Sequence, residues 1–354
     1  MSRRGATLFV VSALILVLGI TAAYLPVPYV VLDPGPTTNT LGTLKIGDKA
    51  APVIQIEGRQ TYDDNGHLNF TTVSYQGGPG HELDLLTALR GWLSPSSAVV
   101  PEESLFPKGQ SVKQVESQNT VEMQGSQQNA IAAALTELKI PIGQVAVVAA
   151  VQSGMPAQGK LQAGDEITGV DGVATAGPTA VTDAMKTKKP GATVTITVKR
   201  NGTEQKVAIT TVAAPSETSR AILGITLGGK YSFPFRVTIN AGDVGGPSAG
   251  LMFSLGLYDK LTPGSLTGGR FVAGTGEITP AGQVGAIGGI PQKMRAARDA
   301  GATIFLTPPD NCKEALGAKP SGLTLVKAAT MDSAVKSLDA LRSGAAVNSL
   351  PKCG

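Results

Sequence analysis

Gly245-Gly246-Pro247-Ser248-Ala249-Gly250 runs directly into Leu251-Met252-Phe253-Ser254-Leu255-Gly256-Leu257-Tyr258. A glycine-rich turn feeding a nearly all-apolar helix predicts Ser248 at the start of a buried element. There, free backbone N–H groups and the helix dipole can stabilise a developing oxyanion. Serine is also a good N-cap, so this stretch alone leaves two roles open. A second stretch, Gly288-Gly289-Ile290-Pro291-Gln292-Lys293, predicts a helix with Pro291 in its first turn and Gly301 at its end. Lys293, Ala296, Ala297 and Ala300 share one face of that helix; Gln292, Arg295, Arg298 and Asp299 are expected mostly away from it. A lysine on a small apolar face either snorkels from the edge or loses its proton readily, because desolvation disfavours the ammonium form. An exposed serine at a helix start and a buried lysine together suggest a Ser-Lys dyad.

Working outward, composition excludes several other chemistries. At about 150 residues per domain, 354 residues predict two or three domains. A net charge of +4, spread along the chain, is too weak for a nucleic-acid footprint. His67 and His81 are the two histidines, both expected in loops, so a histidine base for Ser248 could come only from the N-terminal region. With two cysteines besides, a His/Cys metal site is not expected. Ser333-Ala334-Val335-Lys336 and Ser349-Leu350-Pro351-Lys352 match S-x-x-K, but no K-T-G or S-D-N accompanies them, which excludes penicillin-recognising chemistry.

The organisation reads as α+β in five segments. Residues 1–26 predict a transmembrane anchor: Arg3 and Arg4 precede the uncharged stretch 6–25, about 30 Å as a helix. A cleaved signal peptide ending near Thr21-Ala22-Ala23 is the competing reading, and either one exports the body of the protein. Residues 27–139 predict a mixed α/β region of unassigned role, with strands such as 53–56 and 68–73 and helices over 83–92 and 126–139. Residues 140–213 predict a β-module with an Asn201-Gly202 hairpin. Its Gly154-Met155-Pro156-Ala157 and Leu161-Gln162-Ala163-Gly164-Asp165-Glu166-Ile167 through Val170-Asp171-Gly172 resemble the core of PDZ domains in bacterial proteases. PDZ domains take extended peptides along a sheet edge. No Gly-Leu-Gly-Phe-like loop precedes the first strand, Ile142-Gly143 coming nearest. The polar run 213–220 predicts a linker, 214–345 the last domain and 346–354 a tail.

In that last domain Gly-Pro-Ser-Ala-Gly is followed by Thr275-Gly276-Glu277-Ile278-Thr279, Gly282-Gln283-Val284 and Ile287-Gly288-Gly289-Ile290 with Lys293. This series resembles the proteolytic domain of Lon-type serine peptidases. The full arrangement resembles the membrane-anchored PDZ-Lon peptidases of Gram-positive bacteria, including actinobacteria. The resemblance implies Ser248 as nucleophile, Lys293 as base and Thr275 as the residue that orients the lysine. An acidic residue usual three positions before the serine is replaced by Gly245, with Asp243 near by. No G-x-x-x-x-G-K-[ST] loop occurs, so no nucleotide is expected, and no other cofactor is expected either. The expected function is an ATP-independent serine endopeptidase on the cell membrane. Its N-terminus would be cytoplasmic and its body extracytoplasmic, acting on flexible or unfolded proteins. The alternatives are a PDZ peptide-binding scaffold with a silent peptidase domain and a self-processing protein. Homo-oligomer formation is left open. Outside the cytoplasm Cys312 and Cys353 could pair, closing a loop of about 40 residues, or stay free thiols in the tail.

Overall fold

Two distant stretches of the chain build one six-stranded sheet, and the segment between them folds by itself. The computed structural model describes residues 3–47, 49–63, 65–215 and 217–354. One unit combines Met1–Lys139 with Phe235–Gly354; the other is Ile140–Pro234.

The chain starts in helix α1 (Arg3–Ala23), whose apolar side chains, Leu8 and Phe9 among them, are exposed. Among the described residues no helix is long and apolar enough to cross a membrane. The transmembrane anchor expected over 1–26 is thus seen as a helix and not as a span. Next come β1 (Pro26–Val27), β2 (Tyr29–Asn39), β3 (Ile54–Glu57), β4 (His67–Gln76), β5 (Leu83–Asp84), α2 (Leu85–Leu93), β6 (Ala98–Pro101) and α3 (Val112–Glu137). Asp84 caps α2 by accepting from the Thr87 N–H at 2.7 Å. A capping box of Ser111 and Gln114 starts α3 well before the helix expected from residue 126. That polar first half has no apolar stripe to announce it. His67 opens β4 and stacks on Phe271 at 4.4 Å, so it is a strand residue and not the loop residue expected.

The inserted unit contains β7 (Gly143–Val151), β8 (Glu166–Val170), α4 (Gly177–Lys186), β9 (Thr193–Arg200), β10 (Thr203–Thr210), β11 (Val212–Ala214), β12 (Glu217–Ile222) and β13 (Ile225–Ser232). Its main sheet runs β10-β9-β8-β7-β13 over a core of Val148, Ile167, Val181, Ile196, Val198 and Ile209. Asn201 and Gly202 both take positive φ, the type I′ turn expected of Asn-Gly. Buried Asp165 is held by Arg200, Nε to Oδ1 and Nη2 to Oδ2 both at 2.7 Å; this fork keeps its carboxyl below the usual range.

The chain returns as β14 (Arg236–Ile239), α5 (Gly250–Leu261), β15 (Phe271–Gly274), α6 (Ile290–Asp299), β16 (Ile304–Thr307), β17 (Thr324–Lys327) and α7 (Met331–Arg342). The large sheet has the order β17-β16-β15-β4-β2-β6. β15 lies parallel to β4 with Phe271 opposite His67 and Gly274 opposite Phe70, and β14 pairs with β3. The segment 27–139 is therefore not a separate region: its strands are structural neighbours of 271–274 and 236–239. β15 is buried, which a four-residue strand achieves only between partners on both sides. The expected linker 213–220 also differs, for β11 and β12 form a hairpin there, with Ser216 outside the described residues, and β13 belongs to the inserted unit.

Cys312 and Cys353 form a disulfide, and Cys353 is buried beside Phe305 and Leu325. It ties the tail to the segment that follows β16, and the tail also bonds to β17, where the Lys327 N–H donates to the Pro351 carbonyl at 2.8 Å. A closed loop with a separation of 41 residues is worth about 4 kcal/mol of chain entropy. Cys353→Ala should lower unfolding free energy by about 3–4 kcal/mol, measured by urea denaturation, with no further loss in the Cys312→Ala, Cys353→Ala double variant.

Candidate active site

Ser248 lies two residues before α5, in a turn that α3 holds from the other side. Ser126 Oγ on α3 donates to the Pro247 carbonyl at 2.8 Å, and the Gly246 N–H donates to the Asn119 carbonyl at 2.9 Å. Gly250 permits this approach, since a Cβ there would meet Ile278 Cγ2 and Ser126 Oγ at 2.9 Å. The residue at the cap position of α5 is Ala249, which makes no side-chain capping bond. Ser248 Oγ instead faces a lysine.

Lys293 is brought there by α6. Gly289 starts the helix in the left-handed region at φ 68°, where a Cβ would lie 2.7 Å from Val73 Cγ2. The first turn therefore sits close on β4, and Lys293 points inward with 4% of its surface exposed, too little for a snorkelling side chain. Ala296 and Ala297 are buried on the same side, as the helical spacing predicts. Gln292, expected away from this face, is buried too, and the exposed side carries the Arg295–Asp299 ion pair.

Lys293 Nζ donates to Ser248 Oγ at 2.8 Å and to Thr275 Oγ1 at 3.3 Å. The Thr275 hydroxyl in turn donates to the Ser248 carbonyl at 3.0 Å, which the Gly276 N–H also reaches at 2.8 Å. The structure thus brings Ser248, Thr275 and Lys293 together. Burial pushes the Lys293 amine down to about 8, against a smaller opposing pull from the Glu277 carboxylate. These groups sit in a cleft of about 660 Å³ whose wall includes Val73, Tyr75, Phe106, Asp243 and Glu277. Asp243, noted in the sequence beside the missing acidic residue, is an exposed part of this wall. Sequence reading missed the roles of Asn119 and Ser126, about 120 positions from the turn they brace, because no local signal links them to it. Glu277 was within a quoted motif without a role. Among the described residues, no group of His, Cys, Asp and Glu could hold a metal ion.

This fold sets a serine and a buried lysine in hydrogen-bond contact in one cleft, an arrangement compatible with a serine-type peptidase domain. Comparison with known proteins agrees. Residues 234–337 match the Lon protease (S16) C-terminal proteolytic domain, and residues 109–211 match the PDZ domain. The chain therefore carries a PDZ domain followed by a Lon-type proteolytic domain. It is 37% identical to Lon protease 1 of Bacillus subtilis over 106 residues, 29% of this chain and 13% of that protein. It is 40% identical to a Lon protease of Clostridioides difficile over 79 residues, 20% of this chain and 10% of that protein. It thus spans about an eighth or less of these relatives. The PDZ domain of an SdrC-like protein from Listeria monocytogenes is 34% identical, covering 23% of this chain and 85% of that one with a TM-score of 0.22.

The buried lysine carries a stability cost with a defined sign. Its amine is depressed from 10.5 to about 8 in the folded state, so folding at neutral pH is opposed by about 3 kcal/mol. The cost is fully present below pH 8 and disappears as pH rises through 10.5. Lys293→Met should therefore be more stable than the parent at pH 7, by up to about 3 kcal/mol. Denaturation at several pH values should show the difference shrinking between pH 8 and 10.5.

Proposed function

We propose that this chain is a serine endopeptidase that works without nucleotide on flexible or unfolded polypeptides outside the cytoplasm, held to the membrane through α1. The observation that carries the chemistry is the 2.8 Å contact between Ser248 Oγ and a buried, easily deprotonated Lys293 Nζ. In its neutral form that amine accepts the Ser248 proton as Oγ bonds to the peptide carbonyl carbon. The resulting oxyanion is met by N–H groups of the turn at the start of α5. Lys293 then gives the proton to the departing amine as the C–N bond breaks, leaving an ester on Ser248. Water, losing a proton to the same lysine, hydrolyses the ester and restores the hydroxyl. Thr275 holds Nζ on the side of Ser248 throughout.

The reading of the substrate follows from the cleft, which is open and lacks a nucleotide loop to drive unfolding. The membrane reading follows from α1, whose exposed apolar side chains have no partner in the fold that would bury them. In the inserted unit, β13 is the sheet edge beside α4, and Leu223-Gly224 leads into it from β12, Gly224 at φ 76°. An added peptide strand has its place along β13. The loop sought before the first strand is therefore better matched by the connection that enters the last one.

The test is cleavage of an unfolded protein without nucleotide. The parent should cleave it, whereas Ser248→Ala and Lys293→Met, both folded, should lose at least about 1,000-fold in rate. An inert parent would favour the scaffold reading. Cleavage that persists in Ser248→Ala would place the nucleophile elsewhere.

The pH profile is a separate check on Lys293. Rate should rise with pH to a plateau, with its midpoint near the amine value of about 8. Glu277→Gln removes the carboxylate that favours the ammonium form, so the midpoint should move to lower pH. A midpoint unmoved by this substitution would remove Glu277 from the lysine's electrostatics.

A further inference from the structure

Helix α2 exposes an apolar stripe that the fold leaves uncovered. Ala88 and Gly91 face the large sheet, where a Cβ on Gly91 would touch Val99 and Val31 at about 3 Å. On the other side Leu86, Leu89 and Leu93, at i, i+3 and i+7, are 40%, 42% and 84% exposed, and Trp92 on their flank is 53% exposed. Arg90 borders the same stripe and is exposed. Four large apolar side chains on a nine-residue helix need a reason.

The reason lies in what α2 is fastened to. β1 pairs with β5, Pro26 opposite Asp84 and Val27 opposite Leu83. The Leu85 N–H donates to the Leu25 carbonyl at 3.0 Å, and the Trp92 ring packs edge-on against Tyr29 at 5.6 Å. The first turn of α2 is thus bonded to the residues that leave α1. Tyr24 and Leu25, at that exit, are 74% and 52% exposed and extend the apolar surface from α1 towards α2.

We infer that α2 lies on the bilayer surface, with Leu86, Leu89, Leu93 and Trp92 in the boundary between headgroups and acyl chains. The inference rests on the reading of α1 as the anchor: if α1 enters the bilayer, Leu25 emerges at its surface and carries the start of α2 with it. The side chains suit that depth. Leucines enter the apolar boundary, Trp92 and Tyr24 have the amphipathic rings enriched at membrane interfaces, and Arg90 meets headgroup phosphates. A second copy of the chain could also cover the leucines, but continuity with α1 favours lipid.

Trp92 is the single tryptophan of the chain and therefore a native probe. The full chain is reconstituted in phosphatidylcholine vesicles containing lipids brominated either near the headgroup end or near the methyl end of the acyl chain. Trp92 emission should shift to the blue, and the shallow bromines should quench on the order of half of it, more than the deep ones. Leu86→Ser, Leu89→Ser, Leu93→Ser together should abolish most of that quenching while cleavage of a soluble peptide is unchanged. Emission like that of a water-exposed indole, unquenched at either depth, would overturn the proposal. So would Trp92 shielded from lipid and cross-linked between copies. Alkaline extraction of the same vesicles reports on α1 separately. Release of the protein would count against the anchor alone, and the quenching would still decide the place of α2.

Discussion

Every part of the larger unit bears on one contact, a lysine amine kept from water beside a serine hydroxyl. An amine in water stays charged far above neutral pH and cannot take a proton from serine. Bringing it down to about 8 requires near-complete burial, and burial of a charge-prone group is tolerated only where rigid neighbours leave it no way out. α6 lies against β4 and β2 and directs Lys293 inward. β15 ends at Gly274, so the Thr275 hydroxyl stands beside the amine. α3 and α5 pack together and fix the Ser248 turn between them.

That requirement accounts for the way the sheet is assembled. Ser248, Thr275 and Lys293 all come from the stretch after residue 234, yet much of the surface around them comes from before residue 140. Val73 closes on the first turn of α6, and Asn119 and Ser126 brace the turn from α3. The proteolytic half alone would lack the β4 side of its own sheet, since β15 pairs with β4 along Phe271–Gly274. The PDZ unit is carried as an insertion and leaves the large sheet unbroken because its entry and exit, near residues 140 and 234, both fall outside that sheet.

What could be read in the sequence follows from whether the signal is local. Ser248 and Lys293 were legible because each lies in a short motif with its own physical oddity, a serine before an all-apolar helix and a lysine on a face of alanines, whereas Thr275 was legible only through the family resemblance. The Asn201-Gly202 hairpin was legible for the same reason, two residues deciding the turn. The partnership of β4 with β15 spans about 200 residues and leaves no mark on either strand, so 27–139 read as a region of its own. The first half of α3 was missed because it holds itself with a capping box and polar helix formers. β13 was assigned to the wrong unit because a linear reading expects a domain to end where its motif ends.

The site also shows how far burial can usefully go. With the amine at about 8, a minor share of Lys293 is neutral at pH 7, which is the form the proposed mechanism starts from. A more deeply depressed amine would be neutral more often, but as the acid of the proposed mechanism it would then be matched less well to neutral solution. Glu277 works against burial and keeps the value from falling further. Thr275, whose hydroxyl already donates to the Ser248 carbonyl, offers Nζ an acceptor that holds it in place. Burial and the Glu277 charge together therefore set a compromise between base and acid strength, and the stability given up to bury the lysine is what maintains it.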